Sequence, residues 1–179
     1  TFIIYMAIVM ILVGFGYKIA MVPFHYWSPD VYEGAPTPIT AFFSVAPKAA
    51  GFALLIRVFT VVFTTSEGGV SGVEWTSIVA ILSAVTMTVG NILALQQSNV
   101  KRMLAYSSIA HAVYMLMAVC ITTGNAIIAV MFYLIIYIFM NLGAFFVAIY
   151  AANTVDAHTI DEFAGLGKRS PFIGAAMVI

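Results

Sequence analysis

Charge is the scarcest property of this sequence. Its 179 residues hold seven Lys and Arg and seven Asp and Glu, 8% in all. Soluble domains carry about 25% charged residues. So few charges cannot coat a globule in water, and a water-soluble domain is excluded. The net charge is zero, so a nucleic-acid partner has no electrostatic support. There is one cysteine, Cys120, so no internal disulfide can form. No glycine-rich phosphate loop, no CxxC, no His pair at metal spacing and no haem axial-ligand pair is present. Redox and hydrolytic centres of the familiar kinds are therefore not read on this chain.

Apolar sequence is abundant instead. Hydrophobic residues make up 63%, and the mean hydropathy is +1.08. The solvent for most of the chain is lipid. A span needs about 20 apolar residues. The apolar runs and their polar interruptions predict an all-α integral membrane chain with five transmembrane helices and the start of a sixth. The expected spans are 2–34, 38–63, 76–95, 103–121 and 126–151, with a sixth beginning at 171–179. The first run has no basic flank or cleavage site and is not a signal peptide. Thr1 and Ile179 both lie in apolar runs, and the expectation is an internal fragment of a single transporter domain.

The first span is expected to break near Lys18–Pro23. Unbroken, 2–34 would measure roughly 50 Å, against a hydrocarbon core of about 30 Å. Pro23 lacks an N–H and clashes with the preceding turn. Broken helices occur at membrane depth where they line a cavity, and transporters place ion sites there. The polar segments are TTSEGGVSGVEW (64–75), with Glu67 and Glu74, QQSNVKR (96–102), TTGN (122–125) and a connector over 152–170. Alternation puts 23–37, 96–102 and 152–170 on one side. That side holds Lys101, Arg102, Lys168 and Arg169, so the positive-inside rule makes it cytoplasmic. No internal repeat is visible within the five spans.

Two lysines inside apolar runs are the first candidates for chemistry. A lysine at a helix centre costs about 2.5–3.5 kcal/mol on insertion scales. A lysine held out of water also holds its charge less firmly, and one poised between two states can load and release a proton. Lys18 has a plainer reading, snorkelling to the interface. Lys48 lies eleven residues past Pro38, near mid-membrane, beside Pro47, and no partner for it is evident within the chain. Ser107, His111 and Tyr114 share one helical face, and Tyr133, Tyr137 and Asn141 share another. His111 is the candidate relay in a polar seam. The tyrosines and Asn141 read better as interhelical hydrogen-bond glue. His25, Asp30 and Glu33 read as an entry funnel or a solvated turn. Trp27 and Trp75 suit interfacial belts. His158, Asp161 and Glu162 suit a solvated connector.

Three stretches carry a resemblance. They are GYKIAMVPFHYWSPDVYEGAPTPITAFFSVAPKAAGF (16–52), NVKRMLAYSSIAHAVYML (99–116) and YLIIYIFMNLGAFFV (133–147). Together they resemble the subunit N family of antiporter-like membrane subunits of proton-translocating NADH-quinone oxidoreductase, respiratory complex I. The DVYEGAPTP element (30–38) suits subunit N better than subunits M and L or the related cation/proton antiporter subunits. Pro47 stands where some members carry Ser.

The resemblance implies two inverted five-helix repeats, each with a broken helix and a half-channel. Lys18 matches the lysine of the first broken helix, and Lys48 the lysine of the following helix. The family's membrane glutamate would lie before Thr1 and its later lysine after Ile179. The implied function is proton translocation coupled to electron transfer from NADH to quinone elsewhere in the complex. Lys18 and Lys48 would lie on the proton path, with His111 as relay. NADH, FMN, iron–sulfur clusters and quinone would belong to the complex and no cofactor to this chain. Implied partners are the other membrane-arm subunits (M, L, K, A, J and H types), the lipid bilayer and protons, in a bacterial cytoplasmic membrane. Two rivals stand beside it: a subunit of a multi-subunit sodium/proton antiporter, and a non-conducting spacer of the membrane arm.

Overall fold

The computed structural model describes residues 2–63, 75–121 and 124–177. Elements are named in chain order: α1 Phe2–Ile19, α2 Trp27–Gly34, α3 Thr37–Phe63, α4 Trp75–Leu95, α5 Val100–Val119, α6 Gly124–Val155, a 3₁₀ turn Asp161–Phe163, α7 Leu166–Arg169 and α8 Pro171–Ala176. No strand occurs among the described residues beyond one isolated bridge, Asn99 with Thr159. The expected loop over 64–75, with Glu67 and Glu74, lies outside the described residues except for Trp75. The turn over 122–125 lies half outside them.

Among the described residues four helices are long and apolar enough to cross a membrane: Phe2–Ile19, Thr37–Val62, Trp75–Leu95 and Gly124–Val155. The helix expected over 103–121 is present as α5, yet it is not among the four. Its position explains this. Twelve of its residues are buried, and α4, α6, α2 and α3 pack around it. A helix surrounded by protein need not present a lipid-facing surface, so it tolerates Ser107, Ser108, His111 and two tyrosines. The outer helices show the reverse pattern. Phe2, Ile3, Met10, Phe132, Phe139 and Phe146 are exposed, as lipid-facing or partner-facing side chains are.

The break falls between Ile19 and Trp27. Its cause begins before Pro23. Ala20 takes φ 60°, Ala20 N–H donates to Tyr17 O, and Met21 N–H donates to Gly16 O. This is a Schellman termination with alanine in the left-handed position usually given to glycine. A Cβ on Gly16 would sit 3.0 Å from Met21 Cε and 3.0 Å from Phe24 Cδ2, so Gly16 leaves room for the folded-back chain. The Val22–Pro23 peptide bond is cis. Trp27 then donates from Nε1 to Tyr17 O at 3.0 Å, tying the start of α2 to the end of α1.

Other boundaries shift by small amounts. α6 runs through Val155, so the connector begins later than 152. Its 32 residues rise about 48 Å, well beyond a hydrocarbon core of about 30 Å. Pro47 does not interrupt α3, which continues past it to Phe63. Pro171 opens α8 in its first turn. Trp75 is buried and lies 4.7 Å from Phe59, ring to ring. It is a core residue here, because α3, α4 and α5 meet over it.

Within the core, α4 lies close on α5. A Cβ at Gly90 would reach Ala110 N at 3.5 Å, ordinary contact distance. Small residues at helix crossings allow such approach where no hydrophobic effect drives association. α3 packs against α6, α1 and α5 together, and this places Lys48.

Candidate functional site

Lys48 sits on the face of α3 turned toward α5 and is 3% exposed. Its ammonium donates to Ser108 Oγ at 2.6 Å. Ser108 lies 3.4 Å from the Tyr32 hydroxyl and donates to Ala105 O at 2.8 Å. Three elements therefore meet at one buried chain: α2 through Tyr32, α5 through Ser108 and α3 through Lys48. Among the described residues Lys48 forms no ion pair. The acceptor of its ammonium among the described residues is a neutral hydroxyl. This corrects the sequence reading, which found no partner within the chain. Ser108 was passed over in favour of its neighbour Ser107, which lines a surface cleft with Asn91, Met103 and Leu104.

One turn earlier on α3, Ser44 meets α6. Asn141 Nδ2 donates to Ser44 Oγ, and Tyr137 donates to Ser44 O at 3.0 Å. Pro47 removes an N–H from the α3 ladder in this turn. The carbonyl it leaves without that donor is Phe43 O, and Tyr137 bonds the next one along, Ser44 O. Tyr137 and Asn141 thus act as glue between α6 and the turn that carries Lys48. Tyr32 is fixed from above by Thr40, whose hydroxyl donates to Tyr32 O at 3.2 Å.

His111 stands one turn beyond Ser108 on α5. Its Nδ1 lies 2.6 Å from the Tyr133 hydroxyl. The rings of Tyr114, Tyr137 and Tyr133 have centroids 5.6, 5.7 and 6.2 Å from that of His111. A histidine with a bonded phenol can accept a proton on one ring nitrogen while the other is held. Of the face expected to join it, Tyr114 is a ring neighbour, while Ser107 lines a separate cleft. Lys48, Ser108 and Tyr32 form one bonded chain, and His111 bonds Tyr133 with the Tyr137 ring beside it.

Lys18 lies elsewhere. It is exposed on this chain's surface, in a groove of about 440 Å³ lined by Met10, Ile11, Gly14, Phe15, Ala50 and Gly51. Among the described residues it has no ion pair. The groove is apolar apart from its ammonium.

His25 is neither a funnel nor a solvated turn residue. It is 2% exposed and packs against the Tyr26 ring at a tilt, with centroids 4.3 Å apart. Asp30 and Glu33 both meet Arg102 at 2.7 Å. On the connector, Thr159 N–H and His158 N–H hold the Glu162 carboxyl below its usual range. No group of three or more His, Cys, Asp or Glu that could hold a metal occurs among the described residues.

Lys48 is thus buried against a hydroxyl, beside a broken helix, in a bundle of apolar helices. The family model for the transmembrane part of NADH:quinone oxidoreductase and Mrp antiporter subunits matches residues 2–179. The chain belongs to this family.

Its relatives include NADH-quinone oxidoreductase subunit N 2 of Chloroherpeton thalassium, 51% identical over 95% of this chain and 34% of the relative. Subunit N of Chlorobium chlorochromatii is 48% identical over 100% of this chain and 36% of the relative. Among solved structures, a chain of the archaeal membrane-bound sulfane sulfur reductase superposes with a TM-score of 0.86 at 30% identity, covering 96% of this chain and 34% of that one. A chain of respiratory complex I from Thermus thermophilus superposes with a TM-score of 0.74 at 36% identity, covering 96% and 37%. A chain of the Mrp complex from Dietzia shares the fold, with a TM-score of 0.83 at 23% identity, covering 99% and 32%. The chain spans about a third of the length of the relatives it matches.

Proposed function

We propose that this chain is the proton-conducting part of an antiporter-like subunit N of NADH-quinone oxidoreductase. The observation that carries the reading is Lys48, buried at the middle of α3 with its ammonium on Ser108 and no carboxylate beside it. A cation kept there at such cost is a functional group by default. Lys48 is the central carrier. It takes a proton, holds it against the hydroxyls of Ser108 and Tyr32, and passes it on through His111. Lys18 modulates Lys48 or exchanges with it, from a groove open to whatever packs on α1 and α3.

In this reading α5 is also a span, shielded from lipid by its neighbours, and α8 begins a sixth. The chain is part of a single inverted-repeat transporter domain. Segments 23–37, 96–102 and 152–170 face the cytoplasm of a bacterium. The contacts of α2, the start of α5 and the connector with one another support placing them on one side. The other membrane-arm subunits (M, L, K, A, J and H types) are the partners, and NADH, FMN, iron–sulfur clusters and quinone act elsewhere in the complex.

The sodium/proton antiporter reading stays as the alternative, because the family includes Mrp subunits. Identity near 50% to subunit N favours the first reading. The test replaces Lys48 by Ala in the complete subunit and follows NADH oxidation with proton uptake in inverted membrane vesicles. Loss of NADH-driven uptake in an assembled complex supports the reading. Wild-type oxidation and uptake would favour the non-conducting spacer. Uptake that needs sodium and ignores NADH would favour the antiporter.

A further inference from the structure

α2 has eight residues. A helix that short has no stability of its own in isolation. Its buried face is Ser28, Pro29 and Tyr32, and its outer face carries Asp30 and Glu33. The first turn of α5 grips that outer face. Arg102 Nη1 lies 2.7 Å from Asp30 Oδ1 and 2.7 Å from Glu33 Oε2. Lys101 donates from Nζ to Glu33 O and Ala35 O, the carbonyls left open at the end of α2. A lysine there also suits the negative end of a helix. Asn99 caps α5 through Lys101 N–H and Arg102 N–H, and its amide nitrogen reaches Glu33. The connector docks on the same turn, with Ile160 N–H on Ser98 O at 2.9 Å and Val100 N–H on His158 O at 3.1 Å.

The same two helices meet again deeper in the bundle. Tyr32 lies between Asp30 and Glu33 on α2. Ser108 lies six residues after Arg102 on α5, about 9 Å along the axis. The Tyr32–Ser108 separation is 3.4 Å, at the long end for two hydroxyls. A slip of α2 along α5 by less than 1 Å would make or break it. The register of α2 is thus set at the ion-paired turn and expressed at the hydroxyl that backs Lys48.

We infer that Arg102, clamping Asp30 and Glu33, is a positioning residue for Lys48, because it fixes the broken half-helix so that Tyr32 backs Ser108. The inference rests on the proposed role of Lys48. Exposed ion pairs are individually weak, but here two carboxylates share one guanidinium at the end of a helix that cannot stand alone. Both carboxylates meet the same nitrogen, so a lysine can replace the contact.

The experiment uses the complete subunit in its assembled complex, in inverted vesicles. It measures proton uptake per NADH oxidised and the amount of complex. The variants are Arg102→Gln, Arg102→Lys, the pair Asp30→Asn with Glu33→Gln, all three neutral changes together, and Lys48→Ala. Arg102→Gln is expected to lower uptake per NADH roughly threefold at unchanged complex content. Arg102→Lys restores most of it, and the triple variant is no worse than Arg102→Gln. If Arg102→Gln fails to accumulate, the triple variant, which leaves no unpaired charge, is read in its place. Wild-type uptake in Arg102→Gln, with uptake lost in Lys48→Ala, would overturn this inference and leave the proposed function standing. Wild-type uptake in Lys48→Ala would overturn the proposed function and this inference with it. Equal loss in Arg102→Gln and Arg102→Lys, in step with complex content, would make Arg102 an assembly residue and overturn the positioning role.

Discussion

Lys18 and Lys48 look alike in sequence and differ in burial and in what surrounds them. Each stands alone in an apolar run, and each is close to a proline. Yet Lys48 is enclosed by α2, α3 and α5 with a serine on its ammonium, while Lys18 opens onto a groove between α1 and α3. The difference comes from the neighbours of each helix. α3 is packed by α6, α1 and α5, whereas α1 packs chiefly on α3. A charge on α3 facing α5 is held by this chain alone. The stem of Lys18 lies against α3, and its ammonium opens onto the groove. The two lysines therefore belong to different kinds of site, one closed and one open.

The largest expected effect would break or keep that distinction. Lys48→Ala should lower NADH-driven proton uptake by roughly a hundredfold, the scale of losing a positioned proton-transfer group. Lys18→Ala should lower it only a few-fold, since a modulating group changes the carrier without replacing it. Uptake by both variants in the same vesicle assay decides the order. A reversed order would move the carrier to the open groove.

The next effect sharpens the closed site. Ser108→Ala removes the acceptor of the Lys48 ammonium. A hydrogen bond to a charged group contributes about 1.5–3 kcal/mol, so uptake should fall tenfold or more. Ser107→Ala, on the next residue, should leave it within about 0.5 kcal/mol of wild type, as for a surface change. Equal effects at the two serines would show that the seam runs along the other face.

That pair of serines shows how far sequence reasoning reaches. The apolar runs, the broken first helix and the candidacy of Lys48 follow from hydropathy, length and the cost of a buried charge. Those quantities are local and additive, and the sequence displays them. The choice between Ser107 and Ser108 depends on how α5 is rotated against α3. Periodicity places residues on a face but does not say which face meets which helix. Ser44 offered a signal that was legible: it lies four residues before Lys48 and so shares its face. Tyr32 offered none, because a residue beyond a chain break can point anywhere. The burial of Trp75 and His25 was equally hidden, since an interfacial residue and a core residue differ only in what packs over them. α5 illustrates the same limit from the other side. Its polar residues weaken its hydropathy because its neighbours are protein.

A smaller effect tests the glue beside the closed site. Ser44→Ala leaves the Asn141 amide without its acceptor, and Asn141→Ala leaves Ser44 without its donor. Hydrogen bonds between membrane helices average about 0.6 kcal/mol. Each variant should lower the thermal stability of the subunit by about that much, and the double variant by little more than one alone. Additive losses would show that the two residues do not act as a pair. Proton uptake should barely change, which separates glue from carrier.

The smallest effect belongs to the open site. Gly51 lies under Lys18, and a Cβ there would sit 3.1 Å from Ile19 Cγ2 and 3.5 Å from Lys18 Cγ. The second distance is ordinary contact, and the first requires Ile19 to yield by a few tenths of an ångström. Gly51→Ala gains helix propensity of about 1 kcal/mol and gives part of it back in that crowding. Net stability should stay within about 1 kcal/mol of wild type. The informative readout is the lysine, not the fold. A methyl group beneath its stem restricts the conformations in which Lys18 can lie against α3. If Lys18 modulates Lys48 from the groove, Gly51→Ala shifts proton uptake in the same direction as Lys18→Ala, only less. If uptake is untouched while Lys18→Ala lowers it, the ammonium acts away from α3, toward whatever packs on the groove.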